Sequence, residues 1–178
     1  MAMSLGCASS GNGADDPDAD RPERARYGNL NQSGLDVERA DLDGDDEPDQ
    51  WKYYDAQGNL VRVERDINFD GNIEMWQYFD SDGQLVEEEM ALDRAGKIDV
   101  VSFYEDGRLV RQKMATEFDG SFPIEKFYNS NEELLRVERD ASGDGDVDVW
   151  EYYDDGERDR VGWDTSGDGQ PDSFNHYD

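Results

Sequence analysis

Asp140, Ser142, Asp144, Asp146 and Asp148 put an oxygen-bearing side chain at every second place of one short stretch, with Gly145 among them and Glu151 just beyond. Oxygens spaced by two on a curled loop can converge on one point, which is the arrangement a hard cation such as Ca²⁺ requires: about six to eight oxygens at about 2.3–2.6 Å. Counting Asp140 as the first place, side chains supply the first, third, fifth and ninth ligands, and Glu151 stands twelfth. The backbone carbonyl of the seventh residue, Asp146, supplies another, while Gly145 allows the bend. Three further stretches keep this spacing: Asp164, Ser166, Asp168, Gln170 and Asp172; Asp66, Asn68, Asp70, Asn72 and Glu74; and Asp41, Asp43, Asp45, Glu47 and Asp49. Gly169 and Gly71 hold the bend in two of them, and Asp46 in the earliest. Two intermediate stretches have Ala91 and Ala115 at the first place, and Ala95 at the fifth place of one, so they are expected to bind nothing.

Plain turn chemistry also favours Asp, Gly and Ser. It does not demand a carboxylate at every second place, and such crowding without a cation is electrostatically costly. Mg²⁺ suits the loops less well, because it retains water, and Zn²⁺ lacks His or Cys ligands there. The stretch from Asp140 to Glu151 resembles the calcium loop of EF-hand proteins. Its flanks do not read as helices, so it is more similar to the strand-flanked calcium loops of integrin-type and thrombospondin-type repeats.

The segments that must position these loops recur with them. Leu-x-x-Val-Glu-Arg-x-Asp or a variant begins near Leu35, Leu60, Leu85, Leu109 and Leu134, with an altered copy around Arg160, so the period is about 25 residues. Each copy holds a short leucine strand, an Asp/Gly loop, an aromatic strand such as Asp49-Gln-Trp-Lys-Tyr-Tyr54 or Glu74-Met-Trp-Gln-Tyr-Phe79, and a tight turn containing Gly58, Gly83, Gly107 or Gly156. Alternation puts Trp51 with Tyr53, Trp76 with Tyr78, Val101 with Phe103 and Trp150 with Tyr152 on one face. The expected result is an aromatic ladder, read as core packing, with a sugar or peptide platform as the alternative. The fold class is all-β: an antiparallel meander or β-solenoid of about 25-residue hairpins, with turns along one edge and loops along the other, roughly 10 Å apart. The phrases Tyr53-Tyr-Asp-Ala-Gln-Gly-Asn-Leu60 and Tyr78-Phe-Asp-Ser-Asp-Gly-Gln-Leu85 resemble the YD repeats of rearrangement-hotspot proteins and related bacterial surface proteins, which implies the β-repeat fold and no chemistry.

The repeat domain is expected over 33–178, after a tether over 1–32 that is rich in Gly, Ser, Asp and Pro. Cys7, within Ser-Leu-Gly-Cys-Ala-Ser-Ser, resembles the lipid-attachment site of bacterial lipoproteins, which implies a membrane anchor and a place in the cell envelope, at the outer membrane or cell surface. The 46 acidic against 17 basic residues leave a net charge of −29, which excludes nucleic acid as an electrostatic partner and favours cations. Salt adaptation would look similar and is the main alternative. A glycosidase built on two carboxylates is a lesser one, since His176 is the one histidine and occupies a packing slot. The expectation is thus a non-enzymatic, calcium-binding structural or interaction element. Its other partner is an unidentified protein or glycan, and its edge strands offer a route to self-association.

Overall fold

The computed structural model describes residues 34–92, 97–116 and 121–177. Cys7, the 1–32 tether and Ala95 lie outside the described residues. The described residues form 12 strands in one sheet whose spatial order follows the chain order, every neighbour antiparallel. The all-β repetitive meander expected from the sequence is therefore present, and it is open: β1 and β12 lie at opposite edges and do not pair with each other.

Two strand types alternate. The leucine strands are β1 (Asp36–Ala40), β3 (Leu60–Arg65), β5 (Leu85–Met90), β7 (Arg108–Met114), β9 (Leu134–Arg139) and β11 (Glu157–Trp163). The aromatic strands are β2 (Gln50–Tyr54), β4 (Met75–Phe79), β6 (Val100–Glu105), β8 (Ile124–Tyr128), β10 (Val149–Asp154) and β12 (Ser173–His176). Alternating side chains and β-branched or aromatic residues favour strands of this length. The Gly turns and the Asp loops each terminate them, at opposite edges.

Every hairpin closed at the turn edge carries a bulge at the same place, between Tyr53/Tyr54, Tyr78/Phe79, Phe103/Tyr104, Phe127/Tyr128 and Tyr152/Tyr153, although the β8–β9 turn has Glu132 with φ 63° in place of a glycine. The extra residue is Val61, Val86, Val110, Leu135 or Asp159, and such an insertion increases local twist. Among the described residues no helix or second sheet covers either face, so the sheet buries itself. On one face Val61, Val63, Val137 and Val161 are buried. On the other, Tyr53, Tyr78, Val101 and Trp150 are buried, together with Glu87 and Glu89.

The aromatic ladder differs from expectation. Register sets Arg62 beside both Tyr53 and Tyr78, Arg111 beside Phe103 and Phe127, Arg136 beside Phe127 and Arg160 beside Tyr152. A leucine strand lies between each pair of aromatic strands, so the rings are separated by Arg62, Glu87, Arg111 and Arg136 instead of stacking on one another. Arg62, Arg111, Arg136 and Arg160 lie over the rings of Tyr53, Phe103, Phe127 and Tyr152 at 4.2, 4.1, 4.3 and 4.4 Å from the centroids. Guanidinium over an aromatic face is attractive, and the aliphatic stems of arginine cover apolar surface that no second layer would cover.

Candidate metal centre

The Asp loops are local structures held by their own carboxylates. Asp41 accepts hydrogen bonds from the N–H groups of Gly44 at 2.6 Å and Asp46 at 3.0 Å. Asp66 accepts from Phe69 and Gly71, both at 2.7 Å. Asp140 accepts from Gly143 and Gly145, and Asp164 from Gly167 and Gly169. All four first-place carboxylates thus bind the amides of the fourth and sixth residues. The ninth-place carboxylate closes the loop from the other side: Asp49, Glu74, Asp148 and Asp172 accept the second-place N–H groups of Leu42, Ile67, Ala141 and Thr165. Asp99 does the same for Leu92, although Ala91 has replaced the first-place acid there. The ninth-place acid therefore has a structural use of its own.

The loops are also chained to one another. Each first-place N–H donates to the ninth-place carbonyl of the preceding loop: Asp66 to Asp49 at 2.9 Å, Ala91 to Glu74 at 2.8 Å, Ala115 to Asp99 at 2.8 Å, Asp140 to Pro123 at 2.9 Å and Asp164 to Asp148 at 2.9 Å. The loops follow one another along a single edge as the repeat predicts.

Two loops gather three carboxylates each. Ligand oxygens of Asp41, Asp43 and Asp49 lie within 4.8 Å of one another, as do those of Asp66, Asp70 and Glu74. In each group the ninth-place residue is buried, as is Asp66, so the clusters are anchored at the sheet end and open outward. A carboxylate has about four lone-pair sites, and two N–H bonds leave the rest for a cation. Removal from water raises the Asp43 carboxyl above its ordinary range, and the like charges of Asp45, Asp49 and Asp41 raise it further, against one N–H bond from Asp45 that lowers it. A divalent ion would offset that repulsion.

The other expected ligands fall as follows. Asp45, Asp70, Asp144 and Asp168 each accept the N–H of the seventh-place residue, respectively Glu47, Asn72, Asp146 and Gln170, whose own side chains are exposed. Asn68 is exposed. Ser142 and Ser166 turn their hydroxyls towards Asp140 and Asp164 at 3.5 and 3.3 Å. Glu151 lies within β10 opposite Val137 and Val161, where Arg139 at 3.1 Å and the Tyr153 hydroxyl at 2.7 Å engage its carboxylate. Partial desolvation opposes ionisation of Asp140 and Asp164, but the N–H groups of Gly143 and Gly145, and of Gly167 and Gly169, outweigh it and hold both carboxyls low. The Thr165 amide and hydroxyl lower Asp172.

Sequence reasoning missed the fourth place of the loop. Gly44, Gly143 and Gly167 have φ of 87°, 79° and 75°, and Phe69 takes φ 60° at the same place. At the sixth place Asp46, with φ 73°, adopts the bend that Gly71, Gly145 and Gly169 make elsewhere. The Gly–x–Gly spacing in two loops was the signal for this double requirement.

At the turn edge a groove of about 820 Å³ opens between neighbouring hairpins, lined by Asp82, Glu87, Phe103, Asp106, Arg111 and Phe127 among others.

No protein-family model matches the chain, and no curated protein matches it. Among solved structures, similar chains occur in accessory secretory protein 1, 2 and 3 of Streptococcus pneumoniae (21% identity, 61% of this chain and 19% of that one, TM-score 0.45). Others are TarM (14%, 65% and 22%, TM-score 0.44) and a GtfA/B complex bound to UDP and GlcNAc (13%, 69% and 22%, TM-score 0.34). The chain spans about a fifth of the length of these solved chains. They correct the expectation of a non-enzymatic chain: similar sheets occur within larger chains, one of them in a complex that binds a nucleotide and a sugar.

Proposed function

We propose that the chain is a β-repeat module of the cell envelope or cell surface whose loop edge takes up Ca²⁺, first at Asp41/Asp43/Asp49 and Asp66/Asp70/Glu74. The observation that carries this reading is the convergence of three carboxylates in each of these loops, in register with the repeat. The loops at Asp140–Asp148 and Asp164–Asp172 share the same hydrogen-bonded frame and are assigned the same ion. Bound cations would offset the crowding of acids and couple loop order to the sheet. Lipid attachment at Cys7 belongs to the same reading and accounts for anchoring, since among the described residues no helix is long and apolar enough to cross a membrane.

Thermal melts in chelator, in 10 mM Ca²⁺, and in Mg²⁺ and NaCl of matched ionic strength test it. Affinities of about 10⁻⁴–10⁻³ M, usual for extracellular calcium modules, give roughly 1.4–2.7 kcal/mol per site at that concentration. Asp43→Asn provides a reversal of sign. In chelator it raises the midpoint, because it removes a charge crowded by Asp41, Asp45 and Asp49. In Ca²⁺ it lowers the midpoint, because it removes a ligand. Equal stabilisation by all salts, with no reversal, would leave an acidic, salt-adapted sheet whose loops bind no particular metal.

A second reading rests on the groove at the turn edge. Its exposed carboxylates Asp82 and Asp106 are the side-chain types that accept hydrogen bonds from sugar hydroxyl groups, beside the apolar lining of Phe103 and Phe127. We assign it a saccharide ligand. Chemical-shift changes confined to groove residues on titration with neutral and amino-sugar oligosaccharides would support this, and unchanged spectra at millimolar sugar would end it.

A further inference from the structure

We infer that the two edges of this sheet are complementary and that a second copy of the chain continues it, β12 of one copy pairing antiparallel with β1 of the next. Within the chain, the join between an aromatic strand and the following leucine strand occurs five times in one register. Trp51 faces Glu64, Trp76 faces Glu89, Val101 faces Lys113, Glu125 faces Glu138 and Trp150 faces Gly162. β12 is an aromatic strand that has no following leucine strand among the described residues, and β1 is a leucine strand that has no preceding aromatic strand among them.

Continuing the same register sets Phe174 opposite Arg39 of the second copy, Asn175 opposite Glu38, His176 opposite Val37 and Ser173 opposite Ala40. No like charges meet. The Asn175–Glu38 pair repeats Gln77–Glu88, which occupies the equivalent place in β4–β5 and is hydrogen bonded at 2.7 Å. Phe174 is 44% exposed in the single chain and would receive the Arg39 guanidinium.

The chain of hydrogen bonds between loops supports the same join. Five first-place N–H groups donate to five preceding ninth-place carbonyls. Among the described residues the two ends of that series are the N–H of Asp41 and the carbonyl of Asp172, and the proposed join brings them together as donor and acceptor. An exposed strand edge is a template for this kind of pairing. The interface is head-to-tail, so repetition yields an open filament unless the twist closes it. The net charge of −29 opposes association and must be screened.

Sedimentation velocity of the full 178-residue chain in chelator tests the join, because cation bridging is then absent and the result does not depend on the loops binding metal. At about 0.5 M NaCl, where the Debye length is about 4 Å, the weight-average sedimentation coefficient should rise with protein concentration. Asn175 is exposed, so its replacement leaves the fold intact, as circular dichroism would verify. Asn175→Glu places like charges opposite each other and should weaken association about tenfold, Asn175→Lys should strengthen it, and Glu38→Lys combined with Asn175→Glu should restore it. A chain that stays monomeric to millimolar concentration at high salt, or an association indifferent to these exchanges, would overturn the proposal.

Discussion

Phe69 is the residue under most visible constraint. It takes φ 60° at a loop place that three other copies give to glycine, and a bulky side chain in the left-handed region is destabilised by roughly 1–2 kcal/mol. Its ring is 48% exposed, so little buried area offsets that cost. Phe69→Gly is therefore expected to raise the thermal midpoint by a few degrees, at about 2–4 °C per kcal/mol for a chain of this size. Asp46 makes the neighbouring bend with φ 73°, a conformation Asp tolerates better than most residues. Asp46 was legible as a departure from the repeat, whereas Phe69 was missed with the rest of the fourth place. That the loop needs two left-handed places emerges only once the first-place carboxylate is seen binding the amides of both.

Among the elements, the last hairpin departs furthest from the pattern, and its packing gives the reason. Gly162 stands where Glu64, Glu89, Lys113 and Glu138 stand in earlier leucine strands. A Cβ there would lie 2.8 Å from Phe174 Cε1 and 3.0 Å from Pro171 Cβ. The missing side chain lets Phe174 lie against β11, with its ring centroid 6.3 Å from that of Tyr152 at a 47° tilt. Gly162→Ala should displace Phe174 and loosen β12. Amide exchange would then accelerate in Ser173–His176, with little change in β2–β9. The bulge in each turn-edge hairpin belongs to this scale too. The sequence signalled four of the five turns through a glycine and left the β8–β9 turn without one, whereas the extra residue, such as Val61, follows from the register.

For the whole molecule, acid has two opposed effects. Lowering the pH from 7 reduces the self-repulsion of a chain with net charge −29, which favours the folded sheet. Asp140, Asp164 and Asp172 act the other way: their carboxyls are lower in the folded state than in the unfolded one, so their stabilisation is complete above the unfolded value of about 3.9 and is lost as pH falls through their folded values. Urea midpoints in chelator should rise modestly between pH 7 and about 5, then fall below about pH 4. A midpoint that climbs without a break to pH 2 would mean that the loop carboxylates contribute nothing to folding.

The sequence by itself determined the strands, their order and the edge on which the acids lie. A period of about 25 residues, alternation within strands, and glycine-marked turns are local signals, and a meander needs nothing else to place each strand beside the next. It also marked the acids of the four Asp-rich loops, though not Asp99, which closes the loop after Ala91. Tertiary structure decided what those acids touch. Glu151 stands at the twelfth ligand place by spacing, yet strand pairing gives it to Arg139 and Tyr153. Three carboxylates converge at Asp41/Asp43/Asp49 and at Asp66/Asp70/Glu74 because a third acid stands at the third place in one and the ninth-place residue is buried against the sheet in both. The aromatic face likewise became a row of rings separated by arginines and, between Tyr78 and Phe103, by Glu87, because cross-strand register is a relation between copies, and periodicity within one copy does not specify it.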